Sequence, residues 1–137
     1  MLYFNGCSIK DAIRLNPLHQ KTLIYTQRGQ IINSFETKGL IDAIYLNPLY
    51  NNFKKPTFLI GFYNDFDDAF INKEFNLTLN NQFPIKISKK IPNFIYYKKF
   101  PFYNKWMNYY LVEFNNTKKP FILMYKNKNW KEINLTF

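Results

Sequence analysis

The chain has 137 residues, 47% of them hydrophobic and 20% aromatic, and a formal net charge of +10; this length admits one domain plus an appendage rather than two ordinary independent domains. The apolar share exceeds what a disordered chain carries, although mean hydropathy is -0.36. A single cysteine, Cys7, excludes an intramolecular disulfide framework, and no run of about eighteen apolar residues is present to cross a bilayer as a helix.

The charge is unevenly spread. Residues 1–83 hold eight Lys/Arg against seven Asp/Glu, whereas residues 84–137 hold eleven Lys against only Glu113 and Glu132. The C-terminal part is therefore the half suited to a polyanion, with a plain solubilising surface as the alternative. Lysine is a point charge without the fork of arginine, which favours positioning on a phosphate backbone over reading of bases. Asn (19) and Lys (17) abound while Ala (3) and Arg (2) are scarce, a bias that points to an AT-rich genome such as that of an organelle, a symbiont or a virus.

In chain order, the opening MLYFNGCSIKDAIRLN has neither the apolar core of a signal peptide nor an Arg/Ser-rich transit helix, as expected of a protein made in the compartment where it works. Two related phrases follow, IKDAIRLNPL at 9–18 and LIDAIYLNPL at 40–49. Each predicts a short helix, from Asp11 or Asp42 to Leu, that stops at Asn-Pro, because proline disfavours helical backbone in the residue before it. The phrase resembles the close of a tetratricopeptide repeat, but two copies cannot bury a solenoid core, so coincidence or a duplicated docking element is the preferred reading and a degenerate helical repeat the alternative. Between them, TLIYT (22–26) and QIINSF (30–35) predict a small hairpin turning at Arg28-Gly29.

From Pro56, TFLIGFY predicts a buried strand. Asp65, Asp67 and Asp68 then open a predicted helix, DDAFINKEFNLTL, with Ala69, Phe70, Phe75 and Leu77 along one side. Carboxylates at a helix start meet its positive dipole end. A metal site using Glu74 as well is the sharper alternative, weakened by the absence of a nearby histidine.

The next segment, PIKISKKI, predicts a strand with Ile85, Ile87 and Ile91 alternating, continued by NFIYY past Pro92 at an edge or bulge. A tip, KKFPFYNKW, gathers Lys98, Lys99, Phe100, Phe102, Tyr103, Lys105 and Trp106, and MNYYLVEF returns. Such a tip suits ammonium groups on phosphates and rings on unpaired bases; equally, the rings would close the hairpin's own core. Catalysis has little footing, since His19 and Cys7 have no partner motif. A carboxylate nuclease built from Asp65, Asp67, Asp68 and a lysine of residues 86–90 is the least implausible enzyme.

These residues resemble the family of the tenth small-subunit ribosomal protein. Leu59 to Asp65 looks like that family's first strand and turn, Pro84 to Lys90 like its P-I-x-L-P-T-K motif, and Lys99-Phe100-Pro101-Phe102 like its R-S-P-[HF] tip. Asn104-Lys105 matches the start of the basic continuation, Tyr109 to Glu113 the return strand, and WKEINLTF the last strand. QIINSFETKGLID (30–42) is a second match to the first strand.

The resemblance implies an α+β fold, a ferredoxin-like sheet with a long basic β-hairpin, over residues 56–137, with a second helix compressed into TKKPFILMYKNKN or lost. Residues 1–55 become an N-terminal extension. It further implies a structural constituent of the small subunit's head, binding ribosomal RNA and neighbouring head proteins; together with the AT-rich residue bias, the expected location is the mitochondrial matrix, as an organelle-encoded protein, with another AT-rich compartment as the alternative. The expected RNA contacts are Lys86, Lys89, Lys90, Lys98, Lys99, Phe102, Tyr103, Lys105 and Trp106. No cofactor, metal, small-molecule substrate or membrane insertion is expected. The competing expectation is a non-catalytic accessory subunit of an organellar complex that docks through the Asn-Pro-Leu copies and tyrosines.

Overall fold

A computed structural model describes residues 17–33, 35–64, 75–127 and 132–137. Cys7, the first repeat copy as far as Asn16, the acidic cluster at 65–68 and Glu74 lie outside these residues. So do Ala69 and Phe70 of the predicted helix.

Among the described residues, one α-helix, α1 (Pro17–Ile24), precedes eight strands. They are β1 (Thr26–Asn33), β2 (Glu36–Tyr45), β3 (Thr57–Asn64), β4 (Phe75–Leu79), β5 (Lys86–Ser88), β6 (Asn108–Glu113), β7 (Ile122–Asn127) and β8 (Glu132–Thr136). β1-β2-β3-β6-β5 form one sheet and β4-β7-β8 a second. Every ladder is antiparallel. The described part of the molecule is thus a mostly β domain with little helix.

Period-two alternation explains the layering. Ile41, Ala43 and Tyr45 on β2, Phe58, Ile60 and Phe62 on β3, and Tyr110 and Val112 on β6 face Leu77, Leu79, Leu123, Tyr125, Ile133 and Leu135 of the smaller sheet. Each such side chain contributes about 1.5–3 kcal/mol on full burial. The opposite face of the large sheet presents Ile44, Leu46 and Leu59 to a second core.

Several expectations are corrected by this pattern. The second LIDAIYLNPL copy is a strand: Asp42 and Ile44 alternate with Ile41, Ala43 and Tyr45, so both faces are buried and helical spacing has nothing to pack against. Its Asn-Pro closes the β2–β3 turn, where Asn47 Oδ1 accepts the Thr57 N–H at 2.8 Å and Nδ2 donates to the Lys55 carbonyl at 2.8 Å. Pro17, expected to end a helix, begins α1, a position where its missing N–H costs nothing. Thr22 to Ile24 belong to α1, and the β1–β2 ladder runs as far as Asn33↔Glu36, so the chain does not turn at Arg28-Gly29. Gly29 lies mid-strand for a different reason: a Cβ there would fall 2.2 Å from Ile133 Cγ2 of β8.

Phe75–Leu79 and Ile122–Asn127, both expected to be helical, are strands in which Leu77, Leu79, Leu123 and Tyr125 point inward. The boundary expected at residue 55 is crossed by the β2–β3 ladder from Gly39↔Asn64 to Tyr45↔Phe58. Residues 26–45 are therefore part of the main sheet and not an appended extension.

Candidate nucleic-acid interface

The expected long hairpin is short in its ladder. β5 pairs with β6 only at Lys86↔Glu113, Ile87↔Val112 and Ser88↔Leu111, and the connection at residues 89–107 carries most of the expected site. That segment does not project. Ile95 and Phe100 are buried against Ile44, Leu46 and Leu59, and Ile91, Tyr97, Leu111 and Tyr109 pack around them. A chain of tight turns holds it there: the N–H groups of Ile95, Lys99, Phe100, Tyr103 and Met107 donate to the carbonyls of Pro92, Tyr96, Tyr97, Phe100 and Asn104 at 2.9–3.1 Å. Tyr97, expected to end a strand, and Lys98 and Lys99, expected in the tip, form a 3-10 turn.

The sheet supplies an anchor beneath this segment. Arg28 and Asp42 are cross-strand partners, and the Asp42 carboxylate accepts two N–H bonds from the guanidinium. That bond, ahead of the opposing effect of burial, raises the Arg28 pKa. Phe102 lies with its ring centroid 5.0 Å from Arg28 Cζ. Tyr109 lies over Gly61, where a Cβ would stand 2.7 Å from the ring, and its hydroxyl accepts the Asn104 N–H at 2.9 Å. Burial is the main cause of the raised Tyr109 pKa.

On this platform the six expected lysines, 86, 89, 90, 98, 99 and 105, are all exposed, and none forms an ion pair with a carboxylate among the described residues. Three of them sit against aromatic rings: Lys89 Nζ lies 5.8 Å from the Tyr110 centroid, Lys99 Nζ 5.7 Å from Tyr96 and Lys105 Nζ 5.2 Å from Trp106. Such contacts steady long side chains without neutralising them. Lys86 and Lys89 lie at the open edge of the large sheet, where lysine also discourages unwanted strand pairing.

The three expected aromatics divide. Trp106 is 72% exposed and Phe102 39%, so both rings are accessible. Tyr103 is not a free platform: its ring stacks on Tyr109 at 5.3 Å and meets Tyr97 at 5.9 Å. It closes the second core. Tyr96, 62% exposed, and Arg28 were not anticipated as site residues. The signal for Arg28 was its place opposite Asp42 once 26–45 is read with period two; that for Tyr96 was its step beside Lys98-Lys99.

Two concavities flank the segment. One, of about 290 Å³, is lined by residues 91–93 and 95–99, including Tyr96, Lys98 and Lys99. The other, of about 300 Å³, is lined by Leu40, Tyr63, Asn104, Trp106 and Met107. Among the described residues no group of three or more His, Cys, Asp or Glu is placed to hold a metal ion, and no helix is long and apolar enough to cross a membrane. No family model, curated protein or solved structure matches this chain.

Proposed function

We propose that this chain is a non-catalytic RNA-binding protein that serves as a structural constituent of the small subunit of a mitochondrial ribosome, contacting ribosomal RNA and neighbouring proteins. The observation that carries the reading is the set of six exposed lysines, without carboxylate partners among the described residues, on one continuous stretch from Lys86 to Lys105. An ammonium lacking a counter-charge gains most from a partner that is itself a polyanion. The second core holds the backbone of this stretch in place, which lowers the ordering cost of binding. The ribosomal assignment itself draws on the sequence resemblance over residues 56–137. The lysine surface does not depend on a ferredoxin-like strand order, because a loop docked on any sheet presents it.

Gradient sedimentation of tagged protein from the source compartment tests the proposal. Co-migration with small ribosomal subunits, lost after ribonuclease or high salt, is the expected result. A second reading, a docking subunit of a protein complex, is favoured by the β5 edge, where Phe83, Ile85 and Ile87 are 67%, 44% and 41% exposed. Migration with a protein assembly that survives ribonuclease would select that reading and reject the ribosomal one.

A further inference from the structure

The concavity lined by residues 91–93 and 95–99 has a built floor and a charged rim. Ile95 is 3% exposed and lies, with Ile91 and Pro92, among its lining residues. Tyr96, Lys98 and Lys99 lie at the solvent side. Its volume of about 290 Å³ falls at the small end of the range of about 300–1,000 Å³ typical of small-molecule sites. That is room for one planar group rather than an extended ligand. The Tyr96 ring is 62% exposed and Lys99 Nζ lies over it, 5.7 Å from its centroid, so an aromatic ring and a cation share one mouth.

We infer that this concavity receives one unpaired nucleotide of a single-stranded RNA, its base stacked on Tyr96 over the apolar floor and its phosphate on Lys98 and Lys99. The inference rests on the RNA reading above and narrows it to single strands. Bases within a duplex are stacked and paired and cannot enter a concave site, whereas duplex phosphates reach convex lysines without it. Charge complementarity selects the occupant: an apolar peptide would use the floor and leave both ammonium groups idle.

The test is fluorescence anisotropy of the full chain with a labelled single-stranded oligouridylate and with an RNA duplex of equal length. The wild type is expected to prefer the single strand. Tyr96→Ala should weaken that binding about 5- to 150-fold, the equivalent of one lost stack, and leave duplex binding unchanged; Tyr96→Phe should bind like the wild type. Lys98→Gln combined with Lys99→Gln should weaken binding to both RNAs. If Tyr96→Ala leaves single-strand affinity intact while the double lysine variant loses it, the nucleotide site is overturned and RNA binding stands. If the wild type binds neither RNA at low salt, the RNA reading falls and takes this inference with it.

Discussion

Arg28 Nε lies 2.6 Å from Asp42 Oδ1, and Nη2 lies 2.7 Å from Oδ2, so the two residues form a paired-fork ion pair across β1 and β2. The partners are unequal, since the Asp42 side chain is 1% exposed and that of Arg28 39%. A carboxylate so deeply placed needs its partner more than the guanidinium does. With Phe102 packed on the arginine, the pair also fixes where residues 100–107 meet the sheet.

Replacing Arg28 by Met leaves the Asp42 carboxylate buried and unpaired. Breaking a fully buried pair costs about 3–5 kcal/mol; because water reaches the guanidinium side, the expected loss is about 1–3 kcal/mol. The double variant Arg28→Met, Asp42→Leu should regain most of it, since removing both charges removes the unmet desolvation. Urea unfolding curves with unchanged slope check both values. A double variant no more stable than Arg28→Met alone would show that the pair acts through something other than charge burial.

This pair also marks where the sequence was legible and where it was not. TFLIGFY and MNYYLVEF declared themselves as strands because their apolar runs meet on both sides, and both lie in the large sheet beside each other. LIDAIY misled because one buried aspartate in an apolar run looks like a helix start; only its partner fourteen residues earlier explains it. The lysines were legible as exposed charge. The rings were not, because composition cannot say whether KKFPFYNKW extends into solvent or folds back. Ile95 and Phe100 decide that by burying against Leu46 and Leu59, and Leu46 comes from a turn that helical reading had hidden.

Stability should fall at alkaline pH through tyrosine. Tyr45, Tyr50 and Tyr109 all have pKa values raised above 10.0, in each case chiefly by burial. An acid whose folded-state pKa lies above its unfolded value stays neutral in the native state while the unfolded chain ionises. Its contribution is fully present below the unfolded pKa and is lost as pH rises towards and through the folded one. Urea midpoints should therefore hold to about pH 9 and drop beyond about pH 10. Tyr50 offers a separate check: its hydroxyl is buried with no hydrogen-bond partner among the described residues. Tyr50→Phe should leave neutral-pH stability equal or raise it by about 1 kcal/mol, and should reduce the alkaline loss.

RNA affinity should fall steeply with salt, since each neutralised phosphate releases counterions. Changing Lys98, Lys99 and Lys105 together to Gln is expected to reduce the slope of log affinity against log salt by about 2–3, with each contacting lysine supplying about 0.7–0.9. Changing Lys118, Lys119 and Lys126, which lie outside the 86–105 stretch, should reduce it less. Equal reductions from these two sets of three would mean that overall charge, and not this surface, governs binding.

Gly61 links the sheet to the site most directly. A Cβ at this position would stand 2.7 Å from Tyr109 Cε1 and 3.2 Å from Cδ1 and Cζ, closer than ordinary contact. Gly61→Ala must therefore push the ring outward, and the ring is stacked on Tyr103 and bonded to the Asn104 N–H. The expected destabilisation is about 1–3 kcal/mol, the usual cost of overpacking. Because the ring carries residues 103–104 with it, faster amide exchange should appear in residues 100–107 and not in β7 or β8. Combining Gly61→Ala with Tyr109→Leu makes room for the new methyl group, and should cost less than the two single losses added together. Strict additivity, or exchange that speeds up uniformly across both sheets, would show that Gly61 serves the sheet alone and does not seat the lysine-bearing segment.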